Sequence, residues 1–265
     1  MGKAVLFTFM SLVFGAGGAL LRRIELAQAF DEGGLPIIGH PMTVALIVLS
    51  VFFVVFSGAL MLWLRQAGIN LVGKTAAQSV SRKLGPVQCG LGVIALAVMG
   101  ASAVVRYKDP ACLCGRFELI LCAITVLGAA CGIVSFVMLA RNDGAGKAGF
   151  MAPVAAMCVY LVFVFRQDGS DPVLLHYIFG LLAVASSLLS MYYFAGAGYE
   201  YIKPSANMFF AMSGIYLCAV ALADERSLAD VLMLLACIIY HISVIAAQSK
   251  YISRTREALN REMYP

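Results

Sequence analysis

The chain has 265 residues, of which 62% are hydrophobic and 12% are charged, and its formal net charge is +5. Soluble domains carry roughly 25% charged residues, and a soluble fold of this length could not hide so much apolar surface in its core. The composition therefore excludes a water-soluble globular protein. Backbone polar groups cannot stay unpaired in lipid, so the spans must be helices or a closed barrel. Barrel strands alternate polar and apolar residues over about ten positions, whereas the apolar runs here continue for about twenty, which predicts helices.

The apolar runs predict an all-α, polytopic transmembrane bundle of about eight helices, forming a single domain over residues 1–265. Proline, glycine and aspartate separate the runs and mark the places where helices stop or start. The fifth run is short, and whether it spans the membrane completely is open. The predicted spans cover residues 4–21, 43–64, 87–105, 119–139, 150–165, 173–194, 208–223 and 231–247.

The N-terminal run superficially resembles a secretion signal, because Lys3 precedes an apolar stretch. The run is longer than a typical signal core, and charged residues follow it without a clear cleavage site. We therefore expect a retained first span. At the other end, residues 250–265 are predicted to continue the last span as a helix. Between spans two and three, apolar residues recur at helical spacing over residues 69–82. This segment is either a helix on the membrane surface or an ordinary connecting loop.

Basic residues predict that both termini face the cytoplasm, because short cytoplasmic loops are enriched in lysine and arginine. With the N-terminus inside, the inner side receives twelve of the 19 basic residues. These are Lys3, Arg65, Lys74, Arg82, Lys83, Arg141, Lys147, Lys203, Lys250, Arg254, Arg256 and Arg261. The net charge is thus explained by topology, and no basic face larger than a loop indicates a nucleic-acid partner.

The first outer loop is the most distinctive segment, with helical character predicted to continue to about Phe30. Its charged residues, Arg22, Arg23 and Glu25, have two interpretations. They line an outer polar vestibule with an Arg–Glu pair at its mouth, or the two arginines reach toward lipid headgroups.

Three glycines precede these charges, at Gly15, Gly17 and Gly18. Small residues let transmembrane helices approach closely. We therefore expect another helix to pack against this part of the first span.

The same segment carries a resemblance in the motifs Leu20-Leu21-Arg22-Arg23, Glu25-Leu26, Ala29-Phe30 and Gly34-Leu35-Pro36. This opening, GGALLRRIELAQAFDEGGLP, resembles that of uncharacterised polytopic membrane proteins of anaerobic gram-positive bacteria. The resemblance implies a multi-pass protein of the bacterial plasma membrane. It assigns no activity to any residue.

Polar residues inside the spans concentrate in the last three, and they form the candidate substrate-binding set. A pocket for a substrate headgroup or a quinone carbonyl is one interpretation, and ordinary hydrogen bonding between helices is the other. His241 is the most informative member, because an ionisable side chain in lipid is costly without a partner. The set consists of His241, Tyr240, Tyr216, Ser190, Tyr193 and Asn207.

The sequence predicts no metal site, no catalytic constellation and no identifiable cofactor. His176 and His241 are expected at heights that differ by about 10 Å, which does not suit a shared metal. Six of the eight cysteines lie in spans, where cysteine behaves as a small apolar residue. Cys112 and Cys114 lie in a loop, too close in sequence for an easy disulfide and without the further ligands of a zinc site.

Several classes of function remain. A permease for a small uncharged or weakly charged solute is preferred, and it would use a polar path through the last three spans and the outer vestibule. The acids fall at helix ends or in loops, which disfavours a proton-driven antiporter with a buried carboxylate. The alternatives are a membrane-anchor or quinone-interacting subunit of a larger complex, and a sensing or assembly protein. A membrane enzyme acting on lipid would need a nucleophile–base or metal constellation, and none is visible. The lipid bilayer is the one certain partner, and a protein partner or a homo-oligomer is left open.

Overall fold

The computed structural model describes residues 2–31, 35, 37, 39–64, 85–109, 115–141, 148–168, 173–196 and 203–263. Its side chains are described over the same ranges except at residues 2–4, 63–64, 168, 174–176 and 250–263. The predicted surface segment 69–82 and the pair Cys112 and Cys114 lie outside these ranges.

The described ranges contain eight long helices, each of them long and apolar enough to cross a membrane. They confirm the predicted all-α bundle and make the chain a multi-pass membrane protein. The helices are α1 Gly2–Gln28, α2 Pro41–Leu64, α3 Pro86–Lys108, α4 Arg116–Ala140, α5 Met151–Asp168, α6 Leu174–Gly196, α7 Pro204–Ala221 and α8 Leu228–Met263.

Three helix boundaries bear on the expectations from the sequence. Helix α1 continues past its apolar run to Gln28, close to the expected Phe30. Helix α8 continues through the polar tail to Met263, which confirms that the tail is helical in the described residues. The fifth span has an apolar stretch of 20 residues, Ala148–Gln167, which is enough to cross a bilayer.

Helices α3 to α8 form a closed ring, in which each helix packs against the next and α8 returns to α3. Helix α6 also touches α8, and α1 and α2 pack against α7. Helix α7 is therefore covered on several sides, and 72% of its apolar window is buried, compared with 22% in α2. The last three spans thus contain the best-shielded part of the bundle.

Two of the three glycines in α1 bring it against α7, as the sequence predicts. A Cβ atom at Gly15 would lie 2.8 Å from the Cβ of Ala219, and one at Gly18 would lie 2.7 Å from Val220 Cγ2. A Cβ at Gly17 would meet nothing within 4 Å. The contact therefore depends on Gly15 and Gly18, and Gly17 faces away from it.

Aromatic side chains fill the ring in the half where α4 and α6 end. Phe136 packs edge-on against Phe150, at 4.9 Å between ring centroids, and also contacts Phe194 and Tyr240. Gly92 of α3 makes room for this cluster, because a Cβ there would lie 2.7 Å from Phe136 Cε1. This level of the ring is a packed core.

Gly18→Leu is expected to destabilise the protein, because the new side chain must push α7 away from α1. Overpacking of this kind costs about 1–3 kcal/mol. The measurement is the thermal unfolding of the detergent-solubilised protein. Gly17→Leu is the matched control and should unfold as the wild type does. Equal destabilisation by both substitutions would contradict this packing.

Candidate functional site

The turn between α7 and α8 is half-buried and packs against α1 and α6. Arg226, in this turn, packs on Gly180 of α6, where a Cβ atom would lie 2.9 Å from Arg226 Cζ. Gly180 is six residues past the start of α6, and Arg22, which contacts the same turn, is six residues before the end of α1. At 1.5 Å per residue, these two contact positions lie about 9 Å from the helix ends.

Four charged residues pair around this turn and form what we call the Arg22 network: Arg22, Glu25, Asp224 and Arg226. Arg22 donates through one terminal nitrogen to Glu25 Oε2 at 2.8 Å and through Nε to Asp224 Oδ1 at 2.7 Å. Arg226 donates to the other oxygen of Asp224 at 3.0 Å. Two positive and two negative charges balance, as buried charges require.

The Arg22 network also supplies a hydrogen-bond donor to the backbone at the C-terminal end of α7. Arg226 Nε donates to the carbonyl of Ala221, the last residue of the helix, at 3.0 Å. This carbonyl also accepts the backbone N–H of Asp224 at 3.4 Å. A cation at this position complements the negative end of the helix dipole. Arg22 lies over the ring of Phe179 at 5.4 Å, which adds a cation–π contact from α6.

A second buried cluster lies at the same end of the bundle and joins α3, α5 and α8. Asp230 pairs with Arg106 and accepts a hydrogen bond from the hydroxyl of Tyr160 at 2.8 Å. Ser227, just before α8, donates to Asp230 Oδ2 at 2.6 Å and accepts from the Asp230 backbone N–H at 3.2 Å. The Ser227 hydroxyl thereby caps the start of α8, and Asp230 bonds this hydroxyl instead of the Ser227 backbone N–H of a full capping box. We call the end that holds both clusters the charged end.

The structure places the predicted vestibule residues in two environments. Arg22 and Glu25 pair with each other, as in the first interpretation, but both are fully buried within the bundle. Arg23 is exposed. Asp224 was not among the candidates, although it completes the pairing. A sequence signal for the second cluster was available in Ser227-x-x-Asp230, the spacing of a capping box.

The polar core of the bundle centres on His241, which α8 places against α6 and α7. His241 Nε2 and Ser187 Oγ are 2.9 Å apart, and Ser187 Oγ lies 3.7 Å from the sulfur of Cys218. Gly214 allows this approach, since a Cβ there would lie 2.7 Å from His241 Cδ2. His241, Ser187 and Cys218 have no solvent exposure. Ser187 therefore belongs to the site, although it was not among the predicted residues.

Ser190 and Asn207 continue the same polar face, one turn along α6 and two turns along α7. The Ser190 hydroxyl donates to Asn207 Oδ1 at 3.2 Å, and both side chains are buried. Two buried atoms on this face, Asn207 Nδ2 and His241 Nδ1, have no hydrogen-bond partner among the described residues. We call Ser187, Ser190, Asn207 and His241 the polar core.

The three predicted tyrosines lie elsewhere. Tyr216 is on another face of α7 and hydrogen-bonds Ser50 of α2, with 2.7 Å between the two oxygens. Tyr240 belongs to the aromatic cluster in the ring. Tyr193 is partly exposed and stacks on Phe210 at 5.6 Å between ring centroids. The structure thus brings together three of the six candidates, namely His241, Ser190 and Asn207.

The described side chains include no group of three or more histidine, cysteine or acidic residues that could hold a metal ion. Cys218 and Cys237 are buried free thiols on α7 and α8. The side chain of His176 lies outside the described residues.

Comparison of the chain with protein-family models, with curated proteins and with solved structures finds no match.

Arg106→Met is expected to destabilise the protein by about 3–5 kcal/mol, because it leaves the buried carboxylate of Asp230 without its cation. The double substitution Arg106→Met with Asp230→Asn should recover part of this loss, since the amide is neutral and can still bond Tyr160 and Ser227. Thermal unfolding in detergent measures the stability of the single and the double variant. A double variant less stable than the single one would refute the pairing.

Proposed function

We propose that the protein is a permease for a small, uncharged solute that carries hydrogen-bonding groups, and that the polar core is its binding site. The observation that carries this proposal is the pair of buried atoms without partners, Asn207 Nδ2 and His241 Nδ1. A buried polar atom left unpaired costs about 1–3 kcal/mol. A solute that bonded these atoms would remove that cost.

The chemistry of the two atoms defines the solute. Asn207 Nδ2 offers N–H donors, while His241 Nδ1 donates or accepts according to the tautomer. Gly214, which faces His241, and Asn207 are seven residues apart on α7, or about 10 Å along the helix. A solute that bonds Asn207 Nδ2 needs at least one acceptor, and a small solute would bond the two atoms one after the other.

The absence of net charge near the site favours an uncharged solute. Every charged side chain in the described ranges belongs to a helix end or a connecting turn, and the buried ones at the charged end are paired. An ion at the polar core would have no described counter-charge, and a buried charge without a counter-charge is very costly.

We further propose that the protein lies in the bacterial plasma membrane with both termini in the cytoplasm. The excess of basic residues in the loops on that side supports this orientation. The charged end then faces outward, because α1, α3, α5 and α7 all finish there.

Solute-induced swelling of liposomes containing the purified protein tests the transport proposal. The panel is urea, glycerol and formamide, followed by stopped-flow light scattering. We expect the wild type to accelerate at least one of these solutes over protein-free liposomes. Asn207→Leu and His241→Phe should each slow that flux about tenfold, which corresponds to the loss of roughly one hydrogen bond.

Tyr193→Phe is the control for these variants, because it removes a hydroxyl outside the polar core and should leave the flux unchanged. Each variant should elute from a size-exclusion column as a single symmetrical peak, which verifies that it is folded. A wild-type flux equal to that of empty liposomes for all three solutes would overturn the proposal. So would full flux in both polar-core variants.

A further inference from the structure

The two clusters at the charged end differ in how completely their carboxylates are bonded. Both oxygens of Asp230 have partners, in Arg106 and Tyr160 on one side and Ser227 on the other. Fully satisfied buried networks make a structure rigid. This cluster therefore fixes the start of α8 to α3 and α5.

The Arg22 network is incompletely bonded. Glu25 is fully buried, and its Oε1 has no hydrogen-bond partner among the described residues, although its Oε2 pairs with Arg22. The partners of Arg22 include Glu25, on its own helix, and Asp224, in the turn after α7. A guanidinium can bond both oxygens of a single carboxylate, so Glu25 retains an unused position for Arg22.

This unused position permits a second arrangement in which every charge stays paired. Arg22 would bond both oxygens of Glu25, and Asp224 would keep Arg226, its neighbour in the turn, at 3.0 Å. The two resulting pairs are each neutral. The ion pair between Arg22 and Asp224, which ties α1 to the turn, would be the one given up.

The turn follows directly on the part of α7 that carries Cys218. Leu222, its first residue, donates its backbone N–H to the carbonyl of Cys218, one helical turn deeper. Cys218 in turn approaches Ser187, the hydrogen-bond partner of His241. A displaced turn would therefore expose Cys218 first and the polar core next.

We propose that the Arg22 network is the gate of the solute path at the charged end, and that the turn of residues 222–226 is the part that moves. The gate is shut while Arg22 bridges Glu25 and Asp224, and it opens when Arg22 transfers to Glu25 alone. This inference rests on the proposed function, because a gate needs a path to close.

The test measures how fast Cys218 reacts with a positively charged, membrane-impermeant methanethiosulfonate reagent. The full-length protein is placed in lipid nanodiscs, and modification of Cys218 is followed by mass spectrometry of its peptide. No solute is required. A gating result therefore stands whether or not the liposome assay succeeds, and failure of one proposal is distinguishable from failure of the other.

Two nearly isosteric substitutions should change this rate in opposite directions. Asp224→Asn weakens the tie between α1 and the turn and should speed the labelling of Cys218 about tenfold, within the range of typical coupling effects. Glu25→Gln removes the charge that competes for Arg22 and should slow the labelling below the wild-type rate. A purely structural role would not produce this opposition, because loss of stability can only increase exposure.

Asp230→Asn is the comparison variant, since it makes the same chemical change in the other cluster and leaves Arg106 without its counter-charge. Its labelling rate measures how much the loss of a buried ion pair by itself exposes Cys218, and Asp224→Asn should exceed that rate. Arg22→Lys is the second test of the tie. It keeps the charge but lacks the planar fork that bonds two carboxylates, so it should also speed labelling. The proposal is overturned if Glu25→Gln labels faster than the wild type. It is equally overturned if both Asp224→Asn and Arg22→Lys label no faster than Asp230→Asn.

Discussion

Hydrocarbon offers no partner to a polar group, so each charge that enters this bundle must find its counter-charge within the protein. Arg22 and Arg106 do so at the same end of the molecule, with Asp224 and Asp230 as their respective partners. These acids flank one short stretch of chain, from the turn after α7 to the first residues of α8. The pairing therefore holds this connection against α1 on one side and α3 on the other.

Helix α7 shows how the same constraint shapes the middle of the membrane. One face presents Gly214 and Asn207 to α6 and α8, and another presents Tyr216 to α1 and α2. Without a hydrophobic driving force between helices in lipid, association depends on close packing and hydrogen bonds. Small residues at these contacts, including Gly15 and Gly18 of α1, let the helices approach closely. The polar side chains are then near enough to form hydrogen bonds.

The candidate site was only partly accessible to sequence reasoning. His241, Ser190 and Asn207 were identifiable as polar residues in apolar spans, and they meet at one interface. Tyr216 and Tyr240 are also polar residues in apolar spans, but they lie on other helix faces. Which face of a helix is turned inward depends on the neighbouring helices. Asp224 was overlooked because a charge in a short loop is normally solvated, and its pairing with Arg22 follows only from the packing of α1 against this turn.

The sequence by itself determined that the chain is an all-α membrane bundle and that it contains eight long apolar helices, since span length and hydrophobicity are properties of continuous residues. It also predicted that another helix would pack against the small residues of α1. Only the tertiary structure decided that this helix is α7, that Arg22 is buried between Glu25 and Asp224, and that Ser187 meets His241. The physical reason is that these contacts join residues far apart in the chain, whose partners are selected by side-chain shape and by the pairing of buried charges.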